Sequence, residues 1–207
     1  MILLHGIWMP GPEMSLLGRR LARQGFSVAT FRYRSVRRSP AENAQHLAEV
    51  VRGFGDRTVH LVGHSLGGIV ILHLIQLYPQ LPIGRMVLIG SPVNGSFAAR
   101  RLNALPGGRW LLGRSTRAGL LGGAPNALRG HEIGTLSGVG GIGLGRVLGR
   151  LPTPNDGTVA VAETRLAGAA DARTVRGSHL GLIAIREVAK LTGRFLRSGR
   201  FGPAPGQ

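Results

Sequence analysis

Short apolar runs alternate with longer amphipathic ones along the chain. Residues 2–4 are uniformly apolar and stop at His5-Gly6, as a buried strand does. Residues 13–24 place Met14, Leu17 and Leu21 at helical spacing, and Gly25 follows where a helix C-cap belongs. The stretch "FSVATF" (residues 26–31) alternates like a strand. Pro40 opens "PAENAQHLAEVV", with Leu47, Val50 and Val51 on one helical face and proline suited to the first turn. Residues 58–62 are β-branched and apolar, hence a strand. Residues 67–78 form a strongly apolar helix that Pro79 ends. Residues 85–89 are another buried strand, 133–136 a weaker one and 172–175 a short one. A long helix is expected over 180–196.

Strands thus alternate with helices, and several strands are apolar on both faces. That combination predicts an α/β fold, a mostly parallel central sheet with helices on both faces. No repeat or linker interrupts residues 1–200, which are expected to form a single domain, with a flexible tail at 201–207. Residues 91–130, rich in Gly, Arg and Leu, are expected to hold one or two short helices as a small lid or substrate-loop excursion. Residues 138–152 are also glycine-rich. Gly138, Gly140 and Gly143 match G-x-G-x-x-G, but the strand before is weak and Gly145, Gly149 and Pro152 spoil a following helix. In a chain with 34 glycines the match reads as chance.

The chain has no cysteine, which excludes disulfides, thiolate zinc sites and cysteine nucleophiles. No apolar stretch reaches the roughly 18 residues of a membrane span. The start "MILLHGIWMP" lacks the basic n-region and cleavage site of a signal peptide, so a cytoplasmic location is expected. Charge is lopsided, with 26 Lys+Arg against 9 Asp+Glu and a net charge of +17. Such a field attracts polyanions and anionic membrane surfaces. The arginines are scattered and not interleaved with aromatics, so no specific nucleic acid is predicted.

The chemistry concentrates in "VHLVGHSLGGIVIL", residues 59–72. Gly63-His64-Ser65-Leu66-Gly67 is G-x-S-x-G between an expected strand and an expected helix, the context a nucleophile elbow requires. The glycines at 63 and 67 remove Cβ clashes from a sharp turn whose serine backbone is strained. Ser65 then stands at the carboxyl end of a strand, with a helix N-terminus aimed at it. A serine hydroxyl needs a base. Of seven histidines, His46 and His73 sit in helices, His60 in a strand, and His64 diverges from Ser65 across the turn. His131 opens a weak strand, whereas His179, in "RGSHLGL", follows the last strand at the same sheet edge as Ser65. The base in turn needs an acid. Asp56 and Asp171 precede strands, at the wrong edge. Asp156, in "TPNDGTVAV", follows the penultimate strand; Glu132 and Glu163 are the reserves.

Ser65, Asp156 and His179 stand in the order nucleophile, acid, base. With "ILLHGI", "LVGHSLGG", "NDGTV" and "GSHLGL" in sequence, the chain resembles a compact α/β-hydrolase of the lipase/esterase kind without a large cap, over residues 1–196. The resemblance implies hydrolysis of a small-molecule or lipid carboxylic ester through an acyl-enzyme on Ser65. It implies no metal or cofactor, and an oxyanion hole built from the backbone N–H groups of Ile7 and Leu66. His5-Gly6 is then structural. Trp8, Met9, Met14, Leu66, Leu105, Trp110 and Leu111 are candidates for an acyl site, core packing being the plainer role for most. Two other readings stay open: a catalytically silent hydrolase-fold protein that binds a polyanion or membrane surface, and the same triad used for acyl transfer or amide hydrolysis.

Overall fold

The computed structural model describes residues 1–126, 128, 130–141, 143 and 149–202. The tail expected at 201–207 therefore falls mostly outside the described residues. Among the described residues six strands form one sheet: β1 (Ile2–Leu4), β2 (Ala29–Phe31), β3 (Val59–His64), β4 (Ile83–Ile89), β5 (Ile133–Val139) and β6 (Asp171–Arg176). Their spatial order is β2-β1-β3-β4-β5-β6. All five neighbouring pairs are parallel. Parallel strands need crossovers, and those leading up to β5 carry the helices α1 (Ser15–Ala22), α2 (Pro40–Arg52), α3 (Leu66–Leu77) and the short α4 (Phe97–Asn103) and α5 (Gly108–Leu112), whereas the described part of the β5-to-β6 connection carries the 3₁₀ turn Val161–Thr164. Helix α6 (Arg186–Ser198) closes the fold.

The alternation of strand side chains divides the core into two layers. Ile2, Leu4, Leu61, Met86, Leu88 and Ile133 face α2 and α3, packing on Leu47, Val51, Val70 and Leu74. Leu3, Val62, Val87, Ile89, Leu136 and Val175 face the other way, onto Leu17 and Leu21 of α1 and Val188 and Phe195 of α6. Helix α3 is buried from Leu66 to Ile75, which is why its sequence is apolar all round. Helix α2 starts with a capping box. Ser39 N–H donates to Glu42 Oε2 at 2.7 Å, Glu42 N–H donates to Ser39 Oγ at 3.3 Å, and Pro40 occupies the first turn.

Three expectations change in detail. The strand expected over 26–31 is only Ala29–Phe31, because Phe26 N–H instead donates to Leu21 O and closes the end of α1. The helix expected over 13–24 begins as a 3₁₀ turn at Pro12–Met14 and turns α-helical at Ser15. The long helix expected over 180–196 is broken. A 3₁₀ turn at Gly181–Ala184 is followed by extended Ile185 (φ −80°, ψ 131°), and α6 starts only at Arg186.

Candidate active site

Ser65 sits between β3 and α3 with φ 54° and ψ −119°, a conformation that a non-glycine residue rarely adopts. The strand and helix are pressed together there. A Cβ on Gly63 would lie 2.4 Å from Gly68 N, and one on Gly67 would lie 2.6 Å from Leu4 O. Only glycine lets β3, α3 and β1 meet this closely. Ser65 N–H donates to Ile89 O at 2.9 Å, which ties the corner to the end of β4. Ser65 is 6% exposed, within reach of solvent. Leu66 opens α3, so its N–H has no intrahelical acceptor.

His179 lies on the loop after β6. Its Nδ1–H donates to Asp156 Oδ2 at 2.7 Å, so Nε2 carries the lone pair. Asp156 is held from several sides. Its Oδ1 accepts the N–H groups of Thr158 at 2.9 Å and Val159 at 2.7 Å, and its backbone O accepts His179 N–H at 3.0 Å. Asp156 is 1% exposed and His179 9%. The His179 ring lies over Gly90 (φ 58°), where a Cβ would sit 3.3 Å from its Nδ1 and Cε1. Gly90 directly follows Ile89, the acceptor of Ser65 N–H, so the base and the serine corner share the carboxyl end of β4.

The glycines of residues 138–143 acquire a role here. A Cβ on Gly138 would lie 2.6 Å from Asp156 Cβ, one on Gly141 would lie 2.0 Å from Asp156 O, and one on Gly143 would lie 2.6 Å from Gly157 O. Close approach to the acid loop thus explains Gly138 and Gly143 of the G-x-G-x-x-G spacing, while Gly140 has nothing within 4 Å and takes a left-handed φ of 79° instead.

His64 has a part that its neighbourhood to Ser65 did not reveal. Its ring is fully buried, 4.8 Å from the His179 ring between centroids. Its Nε2–H donates to His179 O at 3.0 Å, while Nδ1 has no partner among the described residues. Burial first, and then the facing His179, push its pKa down to about 3, so it is neutral at ordinary pH. Nothing in the sequence pairs residues 64 and 179. The only signal is a histidine in an otherwise apolar strand end.

The loop after β1 forms the opposite wall. His5 Nε2 accepts Tyr33 N–H at 3.3 Å, its Nδ1–H donates to Gly6 O at 2.8 Å, and its ring stacks on Tyr33 at 4.2 Å. His5 is thus a structural clamp, kept neutral chiefly by burial. A Cβ on Gly6 would lie 3.2 Å from Ser65 Cβ, so glycine leaves open the space beside the serine. Ile7 follows, and among the described residues its N–H donates to nothing. Of the acyl-site candidates, Met9, Met14 and Leu66 are core, whereas Trp8, Leu105, Trp110 and Leu111 are exposed.

The reserve acids lie elsewhere. Glu132 pairs with Arg85 at 2.8 Å. Glu163 accepts the N–H groups of Ala160 and Phe97 and faces Arg100 at 3.7 Å, with burial raising its pKa. A cavity of about 950 Å³ beside Asn94, Ser137, Thr164 and Thr174 includes none of Ser65, Asp156 and His179. Among the described residues no group of three or more His, Asp or Glu is arranged to hold a metal ion, and no helix is long and apolar enough to cross a membrane.

Residues 1–196 match the family model described as the alpha/beta hydrolase family. No curated protein sequence matches the chain. Among solved structures it is similar to a Bacillus licheniformis lipase in mature form, at 20% identity and a TM-score of 0.71, covering 96% of this chain and 91% of that one. It is similar to a metagenomic carboxyl esterase at 20% identity and a TM-score of 0.62, covering 87% and 64% of the two chains. A bromoperoxidase from Bacillus anthracis follows at 12% identity and a TM-score of 0.66, covering 95% and 91%. At these identities the likeness is one of fold.

Proposed function

The chain belongs to the α/β-hydrolase family, and on that premise we propose that it is a serine hydrolase that cleaves carboxylic esters. The observation that carries this reading is the Asp156–His179 hydrogen bond of 2.7 Å at the sheet edge where Ser65 stands on its strained corner. In this reading Ser65 Oγ attacks the ester carbonyl carbon while His179 Nε2 takes its proton. The carbonyl oxygen becomes an oxyanion and accepts from Ile7 and Leu66 N–H, two donors without partners among the described residues. Collapse expels the alcohol, to which His179 returns the proton. Water then attacks the acyl-enzyme by the same route and frees the acid. Asp156 fixes the His179 tautomer and stabilises the imidazolium in both halves.

A non-catalytic polyanion binder has net charge in its favour, but it has no use for a buried acid aligned on a histidine. The choice of a carboxylic ester as substrate is supported by the likeness of fold to a lipase and a carboxyl esterase.

The test uses a series of p-nitrophenyl esters of increasing chain length, with amide and thioester analogues alongside. Wild-type protein is expected to hydrolyse short esters and to be labelled by a fluorophosphonate probe. Ser65→Ala should lose the labelling and lower kcat by about four orders of magnitude or more. Undiminished turnover by that variant would overturn the proposal.

A further inference from the structure

The chain has two tryptophans, and both stand out into solvent on one rim of the candidate site. Trp110 is 82% exposed and Trp8 47% exposed. Trp8 directly follows Ile7 and has φ 60°, and its Nε1–H donates to Leu111 O at 2.9 Å. That bond joins the loop after β1 to helix α5. Leu111 and Leu105 are also exposed, and Leu105 O accepts Gly108 N–H at 2.9 Å, which places it at the foot of the same helix.

Helix α5 is clamped flat. Gly108 and Leu112 are buried, and the three residues between them, Arg109, Trp110 and Leu111, face outward. A Cβ on Gly108 would lie 1.7 Å from Leu102 O and one on Gly113 2.4 Å from Val36 O, so both ends of α5 are seated against backbone. The apolar side chains are thus presented on a fixed support. An exposed apolar cluster of this kind marks a surface that something covers.

The charge around it says what. Residues 91–130 contain six arginines and no Asp or Glu. Arg100 and Arg114 are paired, with Glu163 and Glu42. Arg109 and Arg117 are exposed and form no ion pair among the described residues. Tryptophan and leucine inside a fringe of free guanidinium groups suit the boundary between headgroups and acyl chains of an anionic bilayer, where the rings sit at headgroup depth and arginine meets phosphate. A protein partner would demand a shaped, charge-balanced counterpart, and a nucleic acid would leave the leucines without contacts.

We infer that Trp8, Leu105, Trp110 and Leu111, flanked by Arg109 on the same face of α5, form a docking surface for anionic phospholipid bilayers, beside the mouth of the candidate site. The docking does not depend on the chemistry at Ser65, and Ser65→Ala protein serves to test it. Vesicles of phosphatidylglycerol and phosphatidylcholine are compared with pure phosphatidylcholine by sedimentation and by tryptophan emission. The expected result is binding to the anionic vesicles with emission shifted to shorter wavelength, since both fluorophores lie in the patch. Arg109→Gln should weaken binding about fivefold, and Trp110→Ala about tenfold or more. Equal binding to neutral and anionic vesicles overturns the inference. So does anionic binding with unshifted emission, or binding that Trp110→Ala leaves unchanged.

Discussion

Asp156 is the residue whose hydrogen bonds most constrain what a substitution can do. Its Oδ1 is already committed to the N–H groups of Thr158 and Val159. In Asp156→Asn the amide oxygen must keep those two donors, which turns the NH2 toward His179 Nδ1. That nitrogen then has to accept, and the ring proton moves to Nε2, the position from which a base must take the Ser65 proton. The expected result is a kcat lowered by about 10⁴ with little change in KM and in the urea midpoint. His64 makes a second residue-scale prediction. Its pKa of about 3 in the fold stands below the ordinary 6.5, so the unfolded chain binds more protons at His64 between those pH values. Its contribution to stability is therefore complete above about pH 6.5 and is lost as pH falls toward 3. His5, His60, His73 and His131 are also lowered, chiefly by burial, and act in the same direction. Urea midpoints should fall as pH drops from 7 to 4, and His64→Gln should show a shallower fall than wild type. Parallel profiles would mean that His64 titrates alike in the folded and the unfolded chain.

At the scale of elements, the β3–α3 junction is the one the sequence exposes most fully. Its glycines sit where the two backbones touch, so the motif spells out the contact. Gly67→Ala would push a Cβ to 2.6 Å from Leu4 O and 2.9 Å from His5 O, both backbone atoms of the central layer. The loss of stability should be about 3 kcal/mol or more by chemical denaturation, since no flexible side chain can yield. Gly25→Ala is the control. It has φ 89° but nothing within 4 Å, so only the left-handed backbone opposes it, at about 1 kcal/mol. The segment 177–198 was less legible. Its apolar residues Leu180, Leu182, Ile183, Ile185, Val188 and Ala189 fit a helical period throughout. Local pattern cannot register that the loop is pinned from outside, by Asp156 O on His179 N–H and by His64 on His179 O. Those constraints cross 23 and 115 residues of chain, and they hold the turn that delays α6 to Arg186. The second strand is shorter than its alternating pattern predicts for a simpler reason. Strand β2 lies at the sheet edge and pairs with β1 alone, so the ladder it can form is only as long as Ile2 to Leu4.

The whole molecule carries a surplus of 17 positive charges on 207 residues. Exposed pairs such as Arg52–Glu49 at 2.7 Å and Arg114–Glu42 at 2.8 Å engage few of the 26 basic residues. Self-repulsion should therefore outweigh surface attraction at low ionic strength. Added salt shortens the Debye length from about 30 Å at 0.01 M to about 8 Å at 0.15 M, which screens the repulsion across the molecule more than the contact pairs. The Tm should rise over that range, and a falling Tm would show that the few ion pairs dominate instead. The same field reaches the candidate site through the acid-free 91–130 segment. An anionic ester would be steered toward Ser65, whereas a neutral ester of equal size would feel only its own contacts. The kcat/KM of the anionic ester should accordingly fall as salt is raised, while that of the neutral ester stays level. If both fall together, the effect lies in the protein and not in steering. If neither changes, the arginines of this face do not reach the site, and the positive surface serves the docking rim alone.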